Sequence, residues 1–254
     1  MLICLVPVAP LRSQPSHRSE MVSQLLFGEL CELLETSGDF VKVKLQYDNY
    51  EGWCQSVQLS ECENLEPGKN VLAGEWSNSI LINGHAAMIP FGSSISFLQQ
   101  NEVCVKGMTI EYNGAFILPN ECKWTEVALK RVTDNFLNAP YLWGGRSVYG
   151  IDCSGFTQLV FRCFNIYLHR DAAQQATQGE AIGFLQEAQP GDLAFFDNSE
   201  GKITHAGILL SANTIIHSSG KVRIDNIDNM GIVNSDSGKR THQLRVIKRM
   251  GEKM

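Results

Sequence analysis

Pro140-Tyr141-Leu142-Trp143-Gly144-Gly145, followed at short distance by Gly150-Ile151-Asp152-Cys153-Ser154-Gly155, is the stretch on which the reading of this chain turns. Beyond Cys153 the apolar residues Phe156, Leu159, Val160, Cys163 and Phe164 recur at the i, i+3, i+4, i+7, i+8 spacing. That spacing predicts an amphipathic helix with one buried face. Asp152 stands where an N-cap would be, so Cys153 falls in the first turn. There the unpaired backbone N–H groups and the positive end of the helix dipole favour thiolate over thiol. A buried structural cysteine is the plainer alternative, since free cysteine is among the most buried residue types. The flanking glycines, the aromatic pair Tyr141 and Trp143, and Asp152 weigh toward a nucleophile.

On either side of this stretch the chain changes character. Residues 1 to about 122 consist of short apolar runs broken by turn signals: Leu30–Leu34, Phe40–Leu45, Gly52-Trp53, Ile80–Ile82 before Asn83-Gly84, and Ile110–Tyr112 before Asn113-Gly114. Such spacing predicts small all-β barrels, with a joint at Glu61 to Lys69 around Glu66-Pro67-Gly68. Two barrels, residues 1–62 and 63–123, would fill this half. From Trp124 helical periodicity begins over Val127–Leu137, and a second helical stretch follows at Ala172–Gln178. Asp192–Phe196, His205–Leu210 and Thr214–His217 then read as antiparallel strands, which makes residues 124–254 an α+β domain.

A nucleophilic cysteine needs a proton acceptor, and His205 and His217 lie on two consecutive strands. If Ser211-Ala212-Asn213 form the loop, His217 lies opposite Gly207, diagonal to His205 on the same face. A two-residue loop would shift the register by one and separate them. In the first register His205 is the base toward Cys153 and His217 holds its tautomer, the logic of a nucleophile, base and orienter. One Cys and two His would also suit zinc, but no His-Glu-x-x-His helix or Cys-x-x-Cys pair accompanies them. The reading therefore takes no metal and no cofactor. His17, His85 and His242 fall in loop-like or turn-like sequence, and His169 precedes a helix start.

Composition bounds the partners. The chain has 254 residues and a net charge of -6 without a block of Lys or Arg, a poor fit to nucleic acid or an anionic membrane surface. Its eight cysteines are scattered, a pattern of reduced thiols. Met1 to Leu11 is apolar but lacks a basic start and contains Pro7 and Pro10, so it reads as a first strand and not a leader. A cytoplasmic monomer is expected, or an exported protein if a leader has been removed.

Taken in order, Tyr141-Leu-Trp143-Gly-Gly, Asp152-Cys153-Ser154-Gly155, Pro190-Gly191-Asp192-Leu193, Thr204-His205-Ala206-Gly207 and Ile216-His217 resemble the NlpC-type cysteine peptidases of bacterial cell-wall turnover. The resemblance covers roughly residues 124 to 250 and implies a papain-like fold. Two preceding SH3-like barrels, Glu20 to Glu29 and Tyr50-Glu-Gly-Trp53 are similar to a YkfC-like subgroup. Its members cleave between γ-D-glutamate and the L-diamino acid of murein peptides with a free N-terminal L-alanine.

The resemblance implies a triad of Cys153, His205 and His217. It also implies a site lined by Tyr141, near the oxyanion, and Trp143, with Asp152 and Ser154 contacting the substrate backbone. Asp171 would receive the free amine, with Glu20 and Tyr50 closing the same end; an N-cap for the following helix is the equally open reading of Asp171. Subgroup members often carry Ser after this Asp, where this chain has Ala172. Two other readings stand beside the murein peptidase: a broader wall endopeptidase, amidase or acyltransferase on the same fold, and an inactive wall-binding protein.

Overall fold

The computed structural model describes residues 1–62, 70–99, 105 and 107–251. From residue 63 onward the expected joint lies outside them, as does Cys104. The chain divides into two compact units, Met1–Cys122 with Trp143–Tyr149, and Lys123–Leu142 with Gly150–Met254.

The first unit is built from β1 (Leu2–Cys4), β2 (Val8–Arg12), β3 (Met21–Leu26), β4 (Leu30–Ser37), β5 (Phe40–Leu45), β6 (Glu51–Gln55) and β7 (Leu59–Glu61). These pair in the order β3-β2-β6-β5-β4-β1-β7. The expected first strand is split between β1 and β2 at Pro7, which cannot donate to a ladder, while Pro10 lies within β2 opposite Gln24. Alternating residues of these strands, Ala9, Leu11, Leu25, Val41, Val43 and Leu45 among them, bury one core. A second core gathers Phe27, Val71, Ile80, Ile89, Phe97 and Ile110. Around it lie β8 (Leu72–Ala73), β9 (Ser77–Ile82), β10 (His85–Pro90), β11 (Ile110–Tyr112) and β12 (Phe116–Ile117). Asn83-Gly84 is the turn between β9 and β10, so His85 opens a strand and not a loop. Cys62 is disulfide-bonded, against the expectation of reduced thiols. A covalent link suits a unit with small cores. Cys4, Cys31, Cys54, Cys122, Cys153 and Cys163 are thiols outside any disulfide.

The inserted residues 143–149, which include β13 (Arg146–Ser147), are held in the first unit by a buried ion pair. Arg146 Nη1 and Nη2 reach the two Glu29 carboxylate oxygens at 3.0 and 3.2 Å, and Nη1 also donates to Gln24 O at 2.6 Å. Gly144 has φ +73° and passes so close to Met21 O that a Cβ would clash.

The second unit contains β14 (Gly150–Ile151), β15 (Glu180–Ile182), β16 (Leu193–Asp197), β17 (Ile203–Ser211), β18 (Thr214–Ser219), β19 (Lys221–Asp228), β20 (Gly231–Val233) and β21 (Arg240–Arg249). β15 to β21 pair in the order β15-β21-β16-β17-β18-β19-β20, and β21 also pairs with β20, closing β16 to β21 into a ring. Phe196, Leu209, Ile215, Ile227 and Ile232 pack a core. The helices are α1 (Glu126–Asp134), α2 (Cys153–Arg162) and α3 (Ala172–Gln175), with α2 against β17 and β18. α3 is shorter than the expected Ala172–Gln178. Pro190-Gly191-Asp192 marks the entry to β16. Gly191, φ +95°, lies against Trp124, and Asp192 takes a two-point ion pair from Arg249 at 2.7 and 2.6 Å. No described helix is long and apolar enough to cross a membrane.

Candidate active site

Cys153 is the first residue of α2, and Asp152 caps it, its Oδ1 accepting from Gly155 N at 2.7 Å. The cap carboxylate has a second task. Arg170 Nη1 and Nη2 donate to Asp152 Oδ1 and Oδ2 at 3.0 and 2.6 Å, and Nη1 also reaches Ser154 Oγ at 2.9 Å. The Asp152 and Ser154 side chains are therefore committed to Arg170 inside the unit.

This arrangement changes the state of the sulfur. Burial first, and then the Asp152 carboxylate, push the Cys153 thiol up to about 11. Hydrogen bonding at the backbone of Ala206 and Ser154, together with Arg170, pulls the other way without prevailing. Burial first, and the acid that caps the helix second, thus work against the thiolate that the helix dipole favours. Hydrogen bonding to Ala206 puts the sulfur beside the neighbour of His205. Tyr141 is close too. Burial, with Cys153 and Asp152 nearby, raises its phenol to about 12, so it stays an O–H donor.

His205 and His217 come together as the first register predicts. His217 pairs with Gly207, and His205 Nε2 lies 2.8 Å from His217 Nδ1. The loop is nevertheless the shorter one, since Ser211 pairs with Thr214, and an irregularity between Leu209 and Ser211 restores the register. Gly207 is needed here: a Cβ would meet His217 Cβ at 2.9 Å and Ile215 Cδ1 at 2.7 Å.

The chain of contacts continues to a residue the sequence reading did not single out. His217 Nε2 lies 3.1 Å from Asp225 Oδ2. Burial would raise the Asp225 carboxyl, but bonds from Arg223, the Ser235 N–H and His217 outweigh it and bring it down to about 2. An ionised carboxylate only accepts, so His217 carries its proton on Nε2 and accepts at Nδ1. His205 must then donate from Nε2, which leaves its Nδ1 as the basic lone pair. Burial, with His242 and His217, holds His205 well below the ordinary histidine range, and burial lowers His217 as well. The resting pair is neutral thiol and neutral imidazole. The signal for Asp225 was its place two residues beyond Arg223, the cross-strand partner of His217, and so on the same face.

His242 is a correction: it lies in β21, opposite Ile232, and not in a loop. Nitrogen atoms of His205, His217 and His242 lie within 4.8 Å of one another. The His242 and His205 rings are stacked, 23° from parallel at 4.1 Å. Lone pairs lie in the ring plane, so those of stacked rings do not converge on one tetrahedral ion. The 2.8 Å contact between His205 and His217 likewise fits a shared proton. The geometry is that of a proton relay.

The remaining candidates divide between the units. Within the first, Glu20 Oε1 accepts from Trp143 Nε1 at 2.7 Å, while Tyr50 precedes β6 with its N–H on Asp48 Oδ1. In the second, Asp171 occupies the N-cap position of α3 but its side chain accepts no capping bond, so the N-cap alternative does not hold.

Residues 138–240 match the NlpC/P60 family, and residues 11–59 match the bacterial dipeptidyl-peptidase SH3 domain. The chain carries an NlpC/P60 domain and a bacterial dipeptidyl-peptidase SH3 domain. Among its relatives is the gamma-D-glutamyl-L-lysine dipeptidyl-peptidase of Bacillus subtilis, 26% identical over 221 residues, 77% of this chain and 71% of that protein. The Bacillus cereus protein of the same name is 23% identical over 256 residues, 89% of this chain and 77% of the relative. The crystal structure of an NlpC/P60 family protein from Bacillus cereus has the same fold, with a TM-score of 0.82, 20% identity and 98% of each chain covered. His205, His217 and Asp225 fall within the NlpC/P60 segment, as does Cys153.

Proposed function

We propose that this NlpC/P60 protein is a cysteine peptidase hydrolysing the bond between γ-D-glutamate and the L-diamino acid, diaminopimelate or lysine, of murein peptides with a free N-terminal L-alanine. Its place would be the recycling of released wall peptides. The observation that carries the reading is the tautomer chain from Asp225 through His217, which leaves His205 Nδ1 as the basic nitrogen, together with the hydrogen bonding of Cys153 at the backbone of the adjacent Ala206. The names of the two Bacillus relatives support the substrate.

In this mechanism Cys153 Sγ attacks the γ-carbonyl carbon of the D-glutamyl residue as its proton passes to His205 Nδ1. The oxyanion forms within reach of the Tyr141 hydroxyl. Collapse breaks the C–N bond, and the leaving amine takes the proton from His205. His205 then draws a proton from water, which attacks the thioester carbon; the C–S bond breaks, L-Ala-γ-D-Glu is released, and the proton on His205 Nδ1 returns to Cys153 Sγ. Asp225 and His217 keep the base in its working tautomer.

The same proposal divides the chain into SH3-like barrels at 1–62 and 63–123 and an α+β papain-like domain at 124–254. Two separate cores in the first unit and the packing of α2 on β17 and β18 support it. Asp171 is assigned the substrate amine. A monomer acting on a peptide, with no nucleic acid or membrane partner, completes the reading. The Cys62 disulfide supports the exported alternative over a cytoplasmic location.

Mass spectrometry of the protein incubated with L-Ala-γ-D-Glu-diaminopimelate should show the dipeptide and free diaminopimelate, and Cys153→Ser should show neither. Transfer of the acyl group to an added amine without hydrolysis would instead identify an acyltransferase.

A further inference from the structure

We propose that His242 is a positioning residue for His205, holding the base by ring stacking; the kinetic part of this inference rests on the peptidase reading above. Among the described residues, three aromatic rings lie against that of His205. His217 meets its edge, the centroids 5.0 Å apart and the planes at 85°. Phe196 lies at 5.7 Å, tilted by 48°. His242 alone lies flat against its face, at 4.1 Å and 23°. His242 is itself held, its Nδ1 2.9 Å from Thr241 Oγ1 and its ring 5.9 Å from Phe196.

The work this stack does follows from the proton relay. His205 needs Nε2 on His217 and Nδ1 toward Cys153 at once, and rotation of the ring about its χ2 bond breaks both contacts. A single hydrogen bond at Nε2 is a pivot; a parallel ring against the face blocks the rotation. Burial and His217 hold His242 down to about 4, with Asp225 opposing, so the ring that stacks on His205 is a neutral one.

The test compares His242→Ala, His242→Phe and wild type by steady-state kinetics on L-Ala-γ-D-Glu-diaminopimelate, with ¹⁵N spectra of the labelled histidines. His242→Ala should lower kcat at least tenfold with KM within twofold, and the His205 signals should move toward a tautomer mixture. His242→Phe, which keeps a flat ring and no titrating nitrogen, should return kcat to within about threefold of wild type. Equal kcat and unchanged His205 signals in His242→Ala overturn the proposal, as does a Phe variant no better than Ala. A wild type that leaves the tripeptide intact, with His205 signals still altered in His242→Ala and restored in His242→Phe, supports the stack while overturning the substrate.

Discussion

Arg170 Nη2 lies 2.6 Å from Asp152 Oδ2 with both side chains buried, one residue before the nucleophile. The pair fixes the start of α2, and its acid raises the thiol that follows. Removing that charge in Asp152→Asn leaves Arg170 to act on Cys153 unopposed, so the thiol should titrate below its present value of about 11. The rate of iodoacetamide alkylation against pH should shift to lower pH. Asp152→Ala, which also strands a buried guanidinium, should cost about 3–5 kcal/mol in denaturant unfolding. An unchanged alkylation profile in Asp152→Asn would remove the carboxylate from the account of the sulfur.

Asp225 acts through two imidazoles. Asparagine there can present an N–H to His217 and reverse the proton pattern, putting the proton on the His205 nitrogen that should be basic. Asp225→Asn should therefore lower kcat on the order of 100-fold or more, with the fold kept. His217→Gln should retain more activity than His205→Ala, because an amide can still hold the base. Dialysis against a chelator should leave turnover unchanged, and recovery only on added zinc would return the three histidines to a metal site.

The buried histidines also set the acid stability of the NlpC/P60 domain. His205, His217 and His242 all have folded pKa values below the ordinary 6.5, His242 at about 4. Below pH 6.5 the unfolded chain binds protons that the folded chain refuses, so stability falls as pH falls. Each such proton contributes about 1.4 kcal/mol per pH unit. Asp225, held at about 2, adds to the loss only below the ordinary carboxylate range. Thermal unfolding should show a decline that starts near pH 6.5, and His242→Phe should soften it. A flat profile between pH 6.5 and 4.5 would contradict burial of these rings as neutral bases.

Periodicity carried the helix at Cys153 and the strands bearing His205 and His217, because burial of one face leaves a repeat in the sequence. The His register was legible from side-chain alternation; the irregularity near Leu210 that preserves it was not, since one extra residue leaves no pattern. Asp225 and Arg170 escaped for a related reason. Each is a single buried charge whose partner, His217 or Asp152, lies 8 or 18 residues away. The allegiance of residues 143–149 was hidden further, because Arg146 finds Glu29 117 positions back. The expected thiolate runs against burial first and the capping acid second, and a dipole argument counts neither.

Specificity turns on the charge of the substrate's free amine. Asp171 is proposed to receive the free amine of L-alanine, on the strength of the match of Arg170-Asp171 to the YkfC-like subgroup. An ammonium that loses its carboxylate partner in a desolvated site should cost on the order of 2–5 kcal/mol, at least ~30-fold in kcat/KM. N-acetylation removes the same charge from the other side, so the two changes should not add. The wild type should cleave the free tripeptide at least ~30-fold better than its N-acetyl form, and Asp171→Ala should bring the two substrates close together. Equal cleavage of both forms by the wild type would remove the amine requirement and return the protein to the broader class of wall endopeptidases. A wild-type preference that survives intact in Asp171→Ala would keep the requirement and move it to another residue.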